Sequence, residues 1–206
     1  MTTTTLTGLY DTYDDAAQTV RDLAAAGIPD ADVSLVANNV ENQYAIEEKS
    51  NAAPDAEAGA VVGSVLGGGA GLLAGLGLLA IPGVGPVVAA GWLVSTAVGA
   101  IAGAGAGAAT GGVIGSLTSA GVSPEHAQVY AEGVRRGGTL VTARVDENRA
   151  AAVEEIMARH RSVDPDTRGR MYREGGWRAF DEASPPYTAA ELERERERTR
   201  DLIPIA

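Results

Sequence analysis

The side chains most often used in catalysis and metal binding are few in this chain. Cysteine is absent, which excludes a thiolate nucleophile, a disulfide and a cysteine zinc site. The histidines are His126 and His160, and two histidines do not make a zinc site by themselves. The adjacent acids Asp14–Asp15 and Glu47–Glu48 would not face each other on a helix, and no motif places a base beside a serine or threonine. We therefore predict no enzyme activity, no metal, no cofactor and no small-molecule ligand.

Charge is distributed unevenly along the 206 residues. The net charge is −11, and residues 1–57 carry −9 of it, with 11 acids against Arg21 and Lys49. This strongly acidic N-terminal segment argues against nucleic acid as a partner and against charge-driven adhesion to anionic lipid. The start, Met1–Leu6, has neither a basic region nor an apolar run, so we expect no signal peptide and cytoplasmic termini.

One stretch dominates the chain, because Ala58 to Pro124 contains no Asp, Glu, Lys or Arg. Glycine recurs within it at every fourth position. The positions form two sets, the first being Gly59, Gly63, Gly67, Gly71 and Gly75, and the second Gly91, Gly99, Gly103, Gly107, Gly111 and Gly115, with Ser95 at the missing step. Helix breakers separate the two sets, namely Pro82, Gly83, Gly85 and Pro86.

Residues four apart share one face of a helix, so each glycine set predicts a groove along which a second helix can approach closely. We therefore predict a helical hairpin, with helices over Gly59–Ile81 and from Val87 to about Leu117, turning at Pro82–Pro86. Each glycine costs a helix interior about 1 kcal/mol relative to alanine. Such helices consequently need lipid, each other or further copies of the chain to stabilise them.

Two environments satisfy that need, and the sequence leaves both open. Gly59–Ile81 would be about 34 Å long as a helix, against a hydrocarbon core of about 30 Å. Our main expectation is therefore a hairpin in the bacterial inner membrane. Gly99–Gly112 is almost only Gly, Ala and Thr and gains little from lipid, which favours the alternative, a soluble cytoplasmic homo-oligomer whose hairpins bury one another. The many Leu, Val and Ile residues argue against a flexible linker.

The flanking segments predict an α+β domain. Leu6–Tyr10 and Asp32–Ala37 are predicted strands around a helix capped by Thr12 and ended by Gly27. After the hairpin, a helix from Pro124, the strand Thr139–Val145, a further helix and a short strand at Ser162–Asp164 follow. Together they predict a ferredoxin-like (split βαβ) sandwich interrupted by the hairpin. Its parts are 1–45 and 123–165, with an acidic linker at 46–57 and the hairpin at 58–122.

We expect residues 166–206 to form an extended tail with a charged helix. Glu and Arg alternate from Glu191 to Arg200 at a spacing that pairs them three residues apart, which is typical of a solvated helix. Apolar residues are few in this segment, so we predict that the domain core depends little on it. A third class of function, a ligand-sensing domain, would need a pocket with converging polar groups.

Several of these stretches resemble bacterial general stress proteins of the YflT type. They are Gly8–Ala16, Ala26–Ile28, Val33–Val36 and Ala131–Val141. The glycine-rich insertion is similar to a glycine-zipper two-helix segment found in many of these proteins. The resemblance extends over residues 5–165 and includes no catalytic signature. It implies a stress-associated protein, often assigned to membranes, without a settled molecular activity.

Overall fold

The computed structural model describes residues 2–41, 77–93 and 112–200 of the chain. These ranges contain five strands, which are β1 (Thr3–Tyr10), β2 (Val33–Asn38), β3 (Gly77–Ile81), β4 (Gly85–Gly91) and β5 (Thr139–Asp146). They also contain six α-helices, which are α1 (Tyr13–Ala25), α2 (Val113–Ser119), α3 (Pro124–Arg135), α4 (Glu147–Arg159), α5 (Pro165–Glu174) and α6 (Ala189–Arg200). Mixed helices and strands confirm the predicted α+β class at this level.

Local sequence signals set the boundaries of the first helix. Thr12 caps α1, since its hydroxyl accepts a hydrogen bond of 3.2 Å from the Asp15 backbone N–H and donates one of 2.7 Å to the Asp15 carboxylate. At the other end Gly27 takes the left-handed conformation (φ 78°), and the Ile28 N–H bonds to the Leu23 carbonyl at 3.0 Å. The predicted helix is confirmed with both of its ends.

All strands join one antiparallel sheet in the order β1-β5-β2-β4-β3. The strands β1 and β2 both pair with β5, so they run parallel to each other with β5 between them. Past α4, the Val163 N–H bonds to the Leu9 carbonyl at 2.7 Å on the outer edge of β1. The finer assignment to a ferredoxin-like sandwich stays a prediction and is taken up under Proposed function.

Helices cover both faces of the sheet, and each face has its own apolar core. Helices α1 and α4 pack on the first face, where Leu23, Leu35, Val141 and Ile156 are buried together. Helices α2 and α3 cover the second face around Leu9, Val36, Val87, Leu117 and Val134. The central strands are therefore apolar on both sides, as is typical of a sheet between two helical layers.

The predicted helical hairpin is wrong at residues 77–91, whereas the end of its second helix is helical in α2. Residues 77–81 and 85–91 are strands β3 and β4, and Pro82–Val84 turn between them, so the breakers make a β-hairpin. The cause is burial on both faces, because Val88 and Ala90 enter the first core while Val87 and Ala89 enter the second. For so short an apolar run, the periodicity of the sequence alone does not distinguish a buried strand from a buried helix.

The glycine sets are only partly within the described ranges. Gly91 ends β4 in a left-handed conformation (φ 92°), and a Cβ there would clash with the Val33 carbonyl oxygen. Gly91 therefore lies where β4 meets β2 and not in a groove between helices. Gly115 lies in α2. The other positions lie outside the described residues, and their role as helix-packing sites stays a prediction; they are Gly59, Gly63, Gly67, Gly71, Gly75, Gly99, Gly103, Gly107 and Gly111.

Within the described ranges, none of the helices combines the length and the apolar character needed to cross a bilayer. The charged helix predicted near the C-terminus is present as α6. The expectation that the core depends little on the segment from 166 onward stays a prediction. Tyr172 in α5 is 2% exposed and Leu192 in α6 is 1% exposed, so each helix buries a large side chain against the domain.

Candidate interaction site between the C-terminal strap and the hairpin turn

Three of the side chains that could have done chemistry, those of His126, His160 and Asp15, are held by charged partners from other parts of the domain. His126 contacts Asp166 at 3.0 Å and His160 contacts Asp22 at 2.9 Å, and these pairs link different helices. Asp15 accepts two hydrogen bonds from Arg161, at 2.7 and 2.9 Å. No group of three or more potential ligands that could hold a metal occurs in the described ranges, and Glu47–Glu48 lies outside them.

The most extensive polar arrangement joins the C-terminal segment to the rest of the domain. We call residues 165–200 the strap. It begins with α5 against α3, continues without regular structure past the β3–β4 turn, and ends with α6 beside the end of α3. Its contacts therefore fall at one end of the sheet, where β2 and α3 end and β4 and β5 begin.

The first anchor of the strap is the ion pair between Arg168 and Asp11. The guanidinium donates two hydrogen bonds of 2.7 Å, one to each oxygen of the carboxylate. Burial lowers the pKa of Arg168, but the hydrogen bonds and charge interactions with Asp11 and Tyr172 together outweigh it and leave the pKa above its usual value. The next residue, Gly169, fits against Val129 of α3, where a Cβ would lie 3.1 Å from the valine methyl.

The second anchor is a charged network at the end of α3. Glu132 has no exposed surface, and it accepts hydrogen bonds from Arg136 at 2.6 Å and from Arg135 at 3.4 Å. Arg136 also reaches Glu195 of α6 at 2.8 Å, so one arginine joins two carboxylates from different elements. Each charge is thus compensated by a partner, as a buried charge requires.

Tyr172 lies between the two anchors. The Arg136 guanidinium stacks over its ring at 4.3 Å, and that of Arg168 lies at 5.9 Å. Burial raises the pKa of Tyr172 to about 12, so the phenol stays neutral at physiological pH. The Tyr172 ring therefore lies between two guanidinium groups, one from each anchor.

The predicted turn residues meet the strap directly. A Cβ on Gly83 (φ 74°) would lie 2.8 Å from the Asp181 carbonyl oxygen, and one on Gly85 (φ 97°) would lie 2.8 Å from Pro186 Cβ. Arg135 donates a hydrogen bond of 3.2 Å to the Pro185 carbonyl. The two glycines therefore permit both the turn and the close passage of the strap over it.

The last anchor holds α6 beside the end of β2. Leu192 is buried and contacts Gly137, and Arg196 binds both carboxylate oxygens of Glu41, at 3.0 and 2.5 Å. The hydrogen bond from Arg196 lowers the pKa of Glu41. Glu41 is the last described residue before residues 42–76. The strap thus contacts the last described residue before the segment that leads into the glycine-rich insertion.

Sequence reasoning found the helix α6 but not its binding partners. Of the predicted pairs three residues apart, Glu193–Arg196 and Glu195–Arg198 are present at 3.3 Å each. Glu191 instead accepts bonds from Thr188 in a capping box. The available signal for docking was Leu192, which lies with Thr199 on one face of a mostly charged helix; Leu192, Glu195 and Thr199 are its buried residues.

Comparison with known proteins supports part of the predicted family relation. Residues 5–84 match the family model of the heat induced stress protein YflT domain. This match runs from β1 through the β3–β4 turn and covers less than half of the chain. No curated protein matches the chain, and no solved structure does. The match supports a relation to YflT-type stress proteins, whereas the inserted glycine zipper stays a prediction.

Proposed function

We propose that this protein is a non-catalytic, stress-associated protein of the cytoplasm that works by self-association. The match of residues 5–84 to a heat induced stress protein domain carries the first part of this proposal. Both histidines pair with aspartates, and Asp15 pairs with Arg161 and takes part in the cap of α1. These contacts support a structural role for the three residues. The protein acts as a soluble homo-oligomeric scaffold in its stress-related role.

Within the uncharged stretch Ala58–Pro124, the residues outside β3, β4 and α2 are the proposed contact surface between copies. A chain of net charge −11 repels its copies overall, and an uncharged segment is where two copies can approach with least repulsion. Glycines at every fourth position allow close backbone approach wherever the segment is helical. The hairpin β3–β4 ties this stretch to the central sheet, since β4 pairs with β2.

Self-association is favoured over a membrane hairpin by the position of β3 and β4. Two membrane-spanning helices joined at Pro82–Pro86 need helical residues on both sides of that turn. Strands occupy both sides instead, and Val87 and Val88 are buried in the two cores of the domain. The apolar residues nearest the turn therefore stabilise the sheet.

We also infer that the domain is a split βαβ sandwich whose fourth strand is reduced to one bridge. The unit β1-α1-β2 flanks β5, and α4 leads from β5 to the bridge at Val163 beside β1. This order supports a ferredoxin-like core extended by the β3–β4 hairpin beyond β2.

Sizing and fractionation of the full chain test the proposal. We expect light scattering after size exclusion to show a soluble particle of several chains, whose mass rises with protein concentration. Cell fractionation should recover the protein in the soluble fraction. Retention in carbonate-washed membranes would support the membrane alternative, and a monomer at all concentrations would contradict self-association.

A further inference from the structure

We propose that the strap, residues 165–200, is an intramolecular cap on the apolar end of the β3–β4 hairpin, and that its release exposes this end for contact with a second copy of the chain. The inference rests on the self-association proposed above and adds its regulation. The strap would then inhibit assembly of the domain to which it belongs, held in place by its ion pairs and by Leu192.

The surface beneath residues 180–186 of the strap is apolar, whereas α5 and α6 cover charged side chains on either side of it. Val84 and Val87 have no exposed surface, and Phe180 of the strap packs against the core cluster that contains them. Backbone atoms of Asp181 and Glu182 lie over Gly83. Detachment of the strap would remove these covering atoms together and leave the turn and its neighbouring valines open to solvent.

A second copy of the chain is the partner that fits this end. Residues 77–93 contain no charged side chain, although the chain as a whole carries −11. An uncharged apolar patch offers no charges to recognise an acidic or a basic partner, but it is complementary to the same patch on another copy. Two such patches related by a two-fold axis form a closed contact, so release would yield a defined assembly.

The end of the strap at α6 is its weaker attachment. Leu192 is the buried apolar residue of α6, the buried Glu195 and Thr199 are polar, and Glu195 and Arg196 form ion pairs with the domain. Between α5 and α6, residues 175–188 have no regular structure. Segments with few buried apolar contacts open first, so α6 should detach before α5 and uncover the turn.

The first test releases α6 by placing a charge at its buried apolar position. In Leu192→Asp, we expect amide hydrogen exchange of residues 81–91 to accelerate about tenfold or more, and size exclusion to shift to larger soluble particles. The matched control is Ala190→Asp, which introduces the same charge at an exposed position of the same helix. Unchanged exchange and particle size in Leu192→Asp would overturn the proposal.

The second test locks the strap and does not depend on a destabilising variant. The chain has no cysteine, so Glu41→Cys with Arg196→Cys creates one pair of thiols, which a short bis-maleimide can join across the former ion pair. We expect the linked chain to associate less than the unlinked double variant, with slower exchange at 81–91. Equal association of linked and unlinked chains would overturn the proposal, and so would a link that joins two chains.

These outcomes separate the cap from the proposed function on which it rests. If the unmodified chain assembles and the locked and released forms assemble equally well, self-association stands and the cap is wrong. If the unmodified, locked and released forms are all monomeric at every concentration, both proposals fail. Assembly that rises on release and falls on locking is the result that we expect.

Discussion

Arg168 and Asp11 bind each other through two hydrogen bonds of 2.7 Å, although 157 positions separate them in the chain. Asp11 directly follows β1, and Arg168 lies in the first half of α5. The Arg168 side chain is only 10% exposed, and that of Asp11 is 19% exposed. The pair therefore joins the start of the domain to the start of the strap in a weakly hydrated environment, where a lost partner is costly.

We expect Arg168→Ala to lower the free energy of unfolding by about 2–4 kcal/mol, because it leaves the Asp11 carboxylate without its partner. Arg168→Lys should recover only part of this loss, since an ammonium group cannot bind both oxygens in the same planar geometry. Urea unfolding measures both effects. The control is Arg159→Ala, which removes an arginine that is 58% exposed and should change stability by about 0.5 kcal/mol or less. Equal effects at both arginines would contradict this prediction.

A second prediction concerns two buried threonines with different hydrogen bonding. Thr142 and Thr19 have no exposed surface, but the Thr142 hydroxyl has no hydrogen-bond partner among the described residues, whereas that of Thr19 donates to the Asp15 carbonyl at 3.0 Å. Valine has nearly the same shape as threonine. We therefore expect Thr142→Val to be neutral or to stabilise by about 1 kcal/mol, and Thr19→Val to destabilise by about 1 kcal/mol. Thermal unfolding compares the two, and a larger loss at Thr142 would show that its hydroxyl is bound to water.

A third prediction follows from tyrosines that are buried in the folded protein. Burial raises the pKa of Tyr10, Tyr130 and Tyr172 to about 12, whereas tyrosine in an unfolded chain ionises near pH 10. A raised pKa in the folded state means that the stability contributed by the neutral phenols is complete below about pH 10. It is lost as the pH rises through about 12.

Absorbance of the phenolate and circular dichroism together check this third prediction. We expect the phenolate signal to rise cooperatively between about pH 10 and pH 12, together with the loss of helix signal, because ionisation drives unfolding. Tyr172→Phe should reduce the amplitude of that step. Complete ionisation of the tyrosines near pH 10 with the fold intact would contradict their burial.

The elements that could be predicted from the sequence are those whose signals are local. Thr12 and Asp15 form a capping box three residues apart, and Ser123 caps α3 through a bond from the His126 N–H at 3.2 Å. The alternating residues of Thr139–Val145 predicted β5 within one residue of its end. In these cases the information lies within a few positions, so no knowledge of the tertiary structure is needed.

The candidate site could not be predicted, because its contacts connect distant segments. Arg136 is an ordinary residue at the end of a helix until Glu195 of α6 comes beside it, 59 positions later. Likewise, the pairing of Glu41 with Arg196 depends on the path of the strap. The alternating Glu and Arg residues of α6 satisfy one another equally well in solution, so their pattern does not reveal docking.

The hairpin was mispredicted because two patterns compete over the same residues. Glycines four residues apart suggest a helix, whereas helix-breaking residues around a short apolar run suggest a strand. The turn residues Pro82–Pro86 are compatible with a turn between two helices and with one between two strands. Pairing of β4 with β2 decides between them, since Val36 lies opposite Ala89 and both are buried. That pairing spans a gap of about fifty positions and leaves no trace in local periodicity.

Gly91 provides a direct test of this correction. In a helix, Gly91→Ala would stabilise the protein by about 1 kcal/mol, because alanine has the higher helix propensity. In the strand β4, Gly91 has a φ of 92°, and a Cβ would clash with the Val33 carbonyl oxygen and with the backbone of Ser34. We therefore expect Gly91→Ala to cost about 3 kcal/mol or more and to weaken the pairing of β4 with β2.

The matched control for this last prediction is Gly121→Ala. Gly121 has a similar φ of 95°, but no atom of the described residues lies within 4 Å of the position that its Cβ would take. The control therefore carries only the cost of a left-handed alanine, about 1 kcal/mol, without a clash. Urea unfolding gives both free energies, and hydrogen exchange at residues 33–38 reports the strand pairing. A gain in stability with Gly91→Ala would restore the helical interpretation of the segment, since only a helix profits from that change.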